Sequence, residues 1–181
     1  ELKSYQELSK KLNTLAENIN LEYGNGKWQP LHLINEALPF EEIAALFQLA
    51  DIALITPLRD GMNLVAKEFI ASAHKNGVLI LSETAGAASE LEDAIIVKPR
   101  QTQALADALE QAFRLRRRDL KRRLKRMQQQ IQTNTVHDWA RDFIETLNQP
   151  VPGTPNITRQ IRTRLHTKIL SDYKSAKKRL L

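Results

Sequence analysis

The residues best placed to do chemistry sit in one stretch, Pro57-Leu58-Arg59-Asp60-Gly61-Met62-Asn63-Leu64-Val65-Ala66-Lys67-Glu68. It follows the apolar run Ile52-Ala53-Leu54-Ile55 and leads into a segment with helical character. The expected geometry is a strand, a tight turn with one glycine, and a helix whose first N–H groups lack intrahelical partners. Such a helix start binds phosphate through its backbone donors and its dipole. Asp60 falls in the turn and Glu68 in the second turn of the helix. A carboxylate accepts hydrogen bonds from vicinal hydroxyls, as on a ribose or a hexose. Two carboxylates flanking a phosphate cradle suit a sugar nucleotide. A turn acid and a solvated helix residue would present the same letters, and composition alone leaves both readings open.

No other residues make a comparable constellation. His32 lies in an apolar run and reads as a core or strand-end residue. His74, His137 and His166 have no ligand spacing, so no metal site is expected. Ser82-Glu83 and His137 lack the Gly-x-Ser-x-Gly elbow of a hydrolase. Trp139 and Phe143 read as core, and the run Arg114 to Arg126 as a solvated helix face.

The elements that must position the candidate loop alternate between strand and helix. Residues 3–22 carry Leu8, Leu12, Leu15 and Ile19 at helical spacing, and Gly24 ends that helix. Residues 30–35 suit a short strand. Pro39 opens a helix from Phe40 to Ala50, with Glu41 and Glu42 in the first turn, where the dipole favours them. Residues 52–55, 78–81 and 94–97 are apolar on both faces, as buried parallel strands are. Helices are expected at about 63–74, at 103–113 with Thr102 as its cap, onward to about 132, and at 137–147. The pattern predicts an α/β fold with a Rossmann-like open parallel sheet and helices on both faces. Ligands of such sheets bind beyond the carboxyl ends of the strands, which is where the 57–68 segment falls.

The chain has 181 residues, 42% of them hydrophobic, enough for a core. It has no cysteine, which excludes a disulfide framework or thiolate site and suits a reducing compartment. No apolar run approaches the ~20 residues that cross a bilayer. No signal peptide is evident, so a cytoplasmic protein is expected. The net charge of +6 is unevenly spread. Residues 114–126 contribute +8 and residues 159–181 contribute +7, leaving −9 for the rest. An acidic body with basic tail-side segments does not suit a nucleic-acid reader, which usually carries its charge on a folded face.

The string Thr56-Pro-Leu-Arg-Asp-Gly-Met-Asn-Leu-Val-Ala-Lys-Glu68 resembles the donor-site motif of the trehalose-6-phosphate synthase family and its relative, glucosylglycerol-phosphate synthase. Asp60 and Glu68 match the acidic-x7-Glu signature of retaining glycosyltransferases with two facing Rossmann-like domains, the GT-B architecture. Gly77 to Ala88 and Ala94 to Val97 resemble the strands and loop that follow in that family. The resemblance runs from about residue 3 to about 148, the C-terminal nucleotide-sugar domain. It implies that Asp60, counted with the catalytic residues, and the backbone at Gly61, Met62 and Asn63 face the donor glucose. It implies that N–H groups at Asn63, Leu64 and Val65 face the phosphates. It further implies that Glu68 takes the ribose hydroxyls and that the main chain near Leu38 holds the uracil edge. UDP-glucose would be the donor, glucose 6-phosphate the acceptor, and no metal or other cofactor would be needed.

The expected organisation is a partial nucleotide-sugar domain at 1–148, a Pro-rich linker at 149–157, and a basic helix at 158–181. The chain opens on Glu1 rather than Met, so it reads as a piece of a longer or processed protein. The family's N-terminal acceptor domain would precede it. The tail resembles the junction to a downstream phosphatase domain, whose nucleophilic aspartate is not in this sequence. The expected parent activity is glucose transfer to glucose 6-phosphate. The alternatives are glycerol 3-phosphate as acceptor, and a non-catalytic regulatory module of the same fold.

Overall fold

The computed structural model describes residues 2–74 and 76–149, together with residues 168 and 171. Helix α1 (Leu2–Tyr23) and helix α2 (Phe40–Leu49) precede strand β1 (Ile52–Ile55). Then come α3 (Leu64–Ser72), β2 (Val78–Ser82), a 3-10 turn (Gly86–Ser89) and β3 (Ile95–Val97). Three helices close the described region: α4 (Thr102–Arg114), α5 (Arg117–Thr133) and α6 (Val136–Asn148). The strands form one parallel sheet in the order β1-β2-β3. Ile52 lies opposite Val78, and Ile80 lies opposite Ile95.

The central strand shows why the apolar runs become this sheet. All five residues of β2 are buried. Successive side chains of a strand point to opposite faces. Leu79 and Leu81 pack with Phe69 and Ile70 of α3 and Leu124 and Met127 of α5. Val78 and Ile80 pack on the other face with Ala108 and Ala112 of α4. Burying each large aliphatic side chain contributes roughly 1.5–3 kcal/mol, so a strand covered on both faces is the best-anchored element. The expected α/β sheet with helices on both faces is what the chain forms.

Helix α3 is fixed at both ends. Lys67 Nζ, in its first turns, donates to both carboxylate oxygens of Glu90 at 3.0 and 2.8 Å. At the other end, Gln128 Nε2 of α5 donates to the carbonyls of Ile70 and Ala73 at 3.1 and 2.9 Å. Those carbonyls belong to the last turn, whose acceptors lack intrahelical partners. Phe47 of α2 meets Phe69 edge-on, ring centres 6.0 Å apart.

Several elements depart from expectation. Residues 31–35 do not form a strand. A strand needs a ladder, and the Asn20 carboxamide of α1 takes that place. It donates to the Leu31 carbonyl at 2.9 Å and accepts from the Leu31 N–H at 3.0 Å. His32 is consequently exposed rather than in the core or at a strand end. The apolar stripe of α1 finds little to cover it, with Leu8, Leu12 and Leu15 exposed. Thr102 is the first residue of α4 rather than its cap, and Gln101 at the cap makes no side-chain bond to the helix. Trp139 and Phe143 are not core. They stack on each other, centres 5.4 Å apart, and each stays about half exposed. The expected linker at 149–157 and basic helix at 158–181 lie outside the described residues, save Gln149 at the end of α6 and the helical Lys168 and Ser171.

Candidate functional site

The 56–63 loop leaves the carboxyl end of β1 and folds around one side chain. The Asp60 carboxylate turns back on its own loop. Its Oδ1 accepts from the backbone N–H groups of Met62 at 3.1 Å and Asn63 at 3.0 Å. Its Oδ2 accepts from Asn63 Nδ2 at 2.9 Å. These bonds hold the carboxyl below the usual carboxylate range. The Met62 N–H contributes most, then the Asn63 side chain, with a smaller opposing effect of burial and a further backbone bond from Asn63. Asp60 is therefore an anion at neutral pH, presented by a rigid turn.

Asn63 is the cap of α3. It is buried and is the single non-glycine residue with positive φ among the described residues, at φ 65° and ψ 78°. Asparagine tolerates this left-handed conformation better than most residues. Its Oδ1 accepts from the Ala66 N–H at 2.9 Å, satisfying one of the donors orphaned at a helix start. With the Asn63 and Ala66 N–H groups so engaged, the N–H groups of Leu64 and Val65 carry no hydrogen bond among the described residues. The side chains of Leu64 and Val65 are exposed around them. Glu68 lies one helical turn beyond Leu64, exposed, and its side chain has no hydrogen bond or ion pair among the described residues. Two open backbone donors and an open carboxylate thus line the start of α3.

A second loop, after β2, moulds the first. The Asp60 N–H donates to the Thr84 carbonyl at 3.2 Å, the Gly86 N–H to the Asp60 carbonyl at 2.9 Å, and the Ala87 N–H to the Met62 carbonyl at 2.8 Å. Thr84 Oγ1 donates to the Pro57 carbonyl at 2.9 Å and lies 2.6 Å from Ser82 Oγ. Gly86 permits this approach. A Cβ there would lie 2.0 Å from the Gly61 carbonyl oxygen. Gly61 itself is exposed, outside the left-handed φ range, with nothing within 4 Å of where a Cβ would stand.

The fold therefore brings Asp60, Gly61, Met62, Asn63, Leu64, Val65 and Glu68 together on one loop and the helix it starts. One expectation changes in detail: the Asn63 N–H faces Asp60 and not open space. Leu38 stands apart, half-buried just before Pro39 at the start of α2, and no hydrogen bond ties its segment to the 57–63 loop among the described residues. Sequence reasoning assigned no individual role to Gly86, Thr84, Lys67 or Gln128, although the first three lie in the segments that resemble the family. The signal available for Gly86 was a lone glycine among alanines just past a strand's carboxyl end. Among the described residues, no group of three or more His, Asp or Glu side chains could hold a metal ion. No helix there is long and apolar enough to cross a membrane.

Comparison with known proteins identifies the family of the chain. Residues 1–149 match the family model for glycosyltransferase family 20. A bifunctional trehalose-6-phosphate synthase/phosphatase from Thermoproteus tenax is 38% identical over 181 residues, 98% of this chain and 25% of that protein. The trehalose-6-phosphate synthase of Enterobacter sp. strain 638 is 36% identical over 167 residues, 90% of this chain and 35% of the relative. A solved trehalose-6-phosphate protein from E. coli bound with UDP-2-fluoro glucose superposes with a TM-score of 0.74 at 39% identity, covering 82% of this chain and 34% of that one. An α,α-trehalose-phosphate synthase from Burkholderia xenovorans in complex with glucose-6-phosphate gives 0.74 at 36% identity, covering 81% and 32%. The chain thus spans about a third of the length of the synthases it matches. A family match over residues 1–149, together with an α/β sheet shared with solved synthases, means that the chain belongs to glycosyltransferase family 20.

Proposed function

We propose that residues 57–68 are the donor half of a nucleotide-sugar site in a retaining glycosyltransferase. The parent protein would move glucose from UDP-glucose to glucose 6-phosphate, giving trehalose 6-phosphate and UDP. The observation that carries this reading is the start of α3. The Leu64 and Val65 N–H groups are open there, between the fixed anion of Asp60 and the free carboxylate of Glu68. Helix-start donors match a diphosphate, Glu68 matches the ribose hydroxyls, and Asp60 matches a glucose hydroxyl. As the glucose C1–O bond breaks, negative charge grows on the departing diphosphate. Fixed N–H donors stabilise that charge without a metal ion. The acceptor and its binding residues would lie in the portion of the relatives that this chain does not match, and the protein would work in the cytoplasm. Two relatives support the substrate classes: one was solved with UDP-2-fluoro glucose and another with glucose-6-phosphate.

Calorimetric titration with UDP-glucose tests the reading. Glu68→Gln should weaken binding by roughly 1–3 kcal/mol, the range for a lost charge-assisted hydrogen bond. Its thermal midpoint should match the wild type, because the Glu68 side chain is exposed and has no partner among the described residues. Equal affinity in the variant would reduce Glu68 to a surface residue.

A further inference from the structure

We propose that the Asn63 side chain is a positioning residue that selects which acceptor position of Asp60 a ligand meets. The proposal rests on the donor reading above and deepens it. An ionised carboxylate has about four acceptor positions. Two of those on Asp60 are filled at Oδ1 by the Met62 and Asn63 N–H groups. A third is filled at Oδ2 by Asn63 Nδ2. One position remains, on Oδ2, and the Asn63 amide fixes where it points.

The Asn63 carboxamide has one workable orientation. Its Oδ1 receives the Ala66 N–H while its Nδ2 donates to Asp60. A flipped amide would set N–H against N–H at Ala66 and oxygen against carboxylate at Asp60. The side chain is buried, so neither mismatch could be relieved by water. One end of the amide therefore caps α3, and the other aims Asp60. The open Leu64 and Val65 donors and the single free acceptor on Asp60 are held in register by the same planar group. A ligand spanning them would need a hydroxyl donor at a set distance from an anionic acceptor group.

Asparagine and aspartate have the same shape, which makes the role testable. Asn63→Asp keeps the oxygen that caps α3 but replaces the donor facing Asp60 with an acceptor of like charge. The reciprocal double variant, Asp60→Asn with Asn63→Asp, puts a donor back across the same gap. The amide introduced at position 60 can still accept the Met62 and Asn63-position N–H groups. We would measure thermal midpoints and UDP-glucose affinity for the 181-residue chain, both single variants and the double variant.

Asn63→Asp should lower the midpoint and weaken UDP-glucose roughly tenfold or more. The double variant should regain the midpoint but not the affinity, because the free position at residue 60 is now on an amide nitrogen, a donor. If Asn63→Asp binds UDP-glucose as the wild type does, Asn63 is a helix cap alone and the proposal fails. A double variant no more stable than Asn63→Asp also overturns it. Should Asn63→Asp not fold, Asn63→Gly keeps the left-handed backbone and carries the affinity measurement with the same expected loss. If the wild-type chain itself binds no UDP-glucose, the donor reading fails and takes the ligand role with it. The stability cycle then judges the Asn63–Asp60 clamp by itself.

Discussion

Alanine at position 86 would force apart the two loops that form the candidate site. Its Cβ would stand 2.0 Å from the Gly61 carbonyl oxygen, 2.8 Å from the Gly61 carbonyl carbon and 3.2 Å from Met62 Cα. All three are backbone atoms, so no side chain can rotate away. Non-bonded heavy atoms prefer about 3.5–4.0 Å, and the loops must part by roughly 1 Å or more. The bonds from Asp60 N–H to Thr84, Gly86 N–H to Asp60 and Ala87 N–H to Met62 are 3.2, 2.9 and 2.8 Å long. A shift of that size takes each out of hydrogen-bonding range. At about 1 kcal/mol each, the loss is about 3 kcal/mol. Alanine also restricts the unfolded chain, which offsets up to about 1 kcal/mol. The net destabilisation is then about 2–3 kcal/mol, or a fall in midpoint of roughly 4–12 °C for a chain of this size. Urea unfolding followed by circular dichroism measures it. Gly61→Ala is the control: with nothing within 4 Å, it should change stability by less than about 0.5 kcal/mol. Gly86→Ala within that same margin of the wild type would refute the stitched-loop argument.

Phe69 is fully buried between the sheet and α2, and Phe69→Ala should destabilise the chain by about 3–5 kcal/mol in the same urea assay. At the start of α6, the Thr135 hydroxyl and N–H and the Arg141 guanidinium hold the Asp138 carboxyl down to about 2. A depressed acid contributes stability above its ordinary value, near 3.9, and loses it as pH falls through about 2. Thr135→Ala should therefore leave a helical signal less dependent on pH between about 4 and 2 than the wild type; identical titrations would dismiss the capping box. Finally, the 181-residue chain should not transfer glucose from UDP-glucose to glucose 6-phosphate, because juxtaposing donor and acceptor supplies much of the rate in such reactions. Turnover in a coupled assay for UDP release would locate the acceptor site within this chain.

Much of this molecule can be read from local sequence because the relevant physics is local. Val78 to Leu81 is apolar on both faces and is buried on both, as a doubly covered parallel strand is. Ile52 to Ile55 and Ile95 to Val97 have the same composition and join the same sheet, yet on these flanking strands Leu54 and Ile96 stay exposed. The turn at Asp60-Gly61 before a helical run placed the start of α3 where it is found. Other features depended on what each segment meets in space. Residues 31–35 have a strand's composition, yet the Asn20 carboxamide answers Leu31 and no ladder forms. Trp139 and Phe143 have a core residue's chemistry, yet they meet each other and solvent. Gly86 looks like any loop glycine until the Gly61 carbonyl is set against it by a residue pairing twenty-five positions away in sequence. Asp60 shows the division within one side chain. Its type announces an acceptor, but which oxygen stays open is decided by the Met62 and Asn63 donors once Asn63 adopts positive φ. Residue type sets what a group can do; the direction in which it does so belongs to the backbone and the neighbours that fold against it.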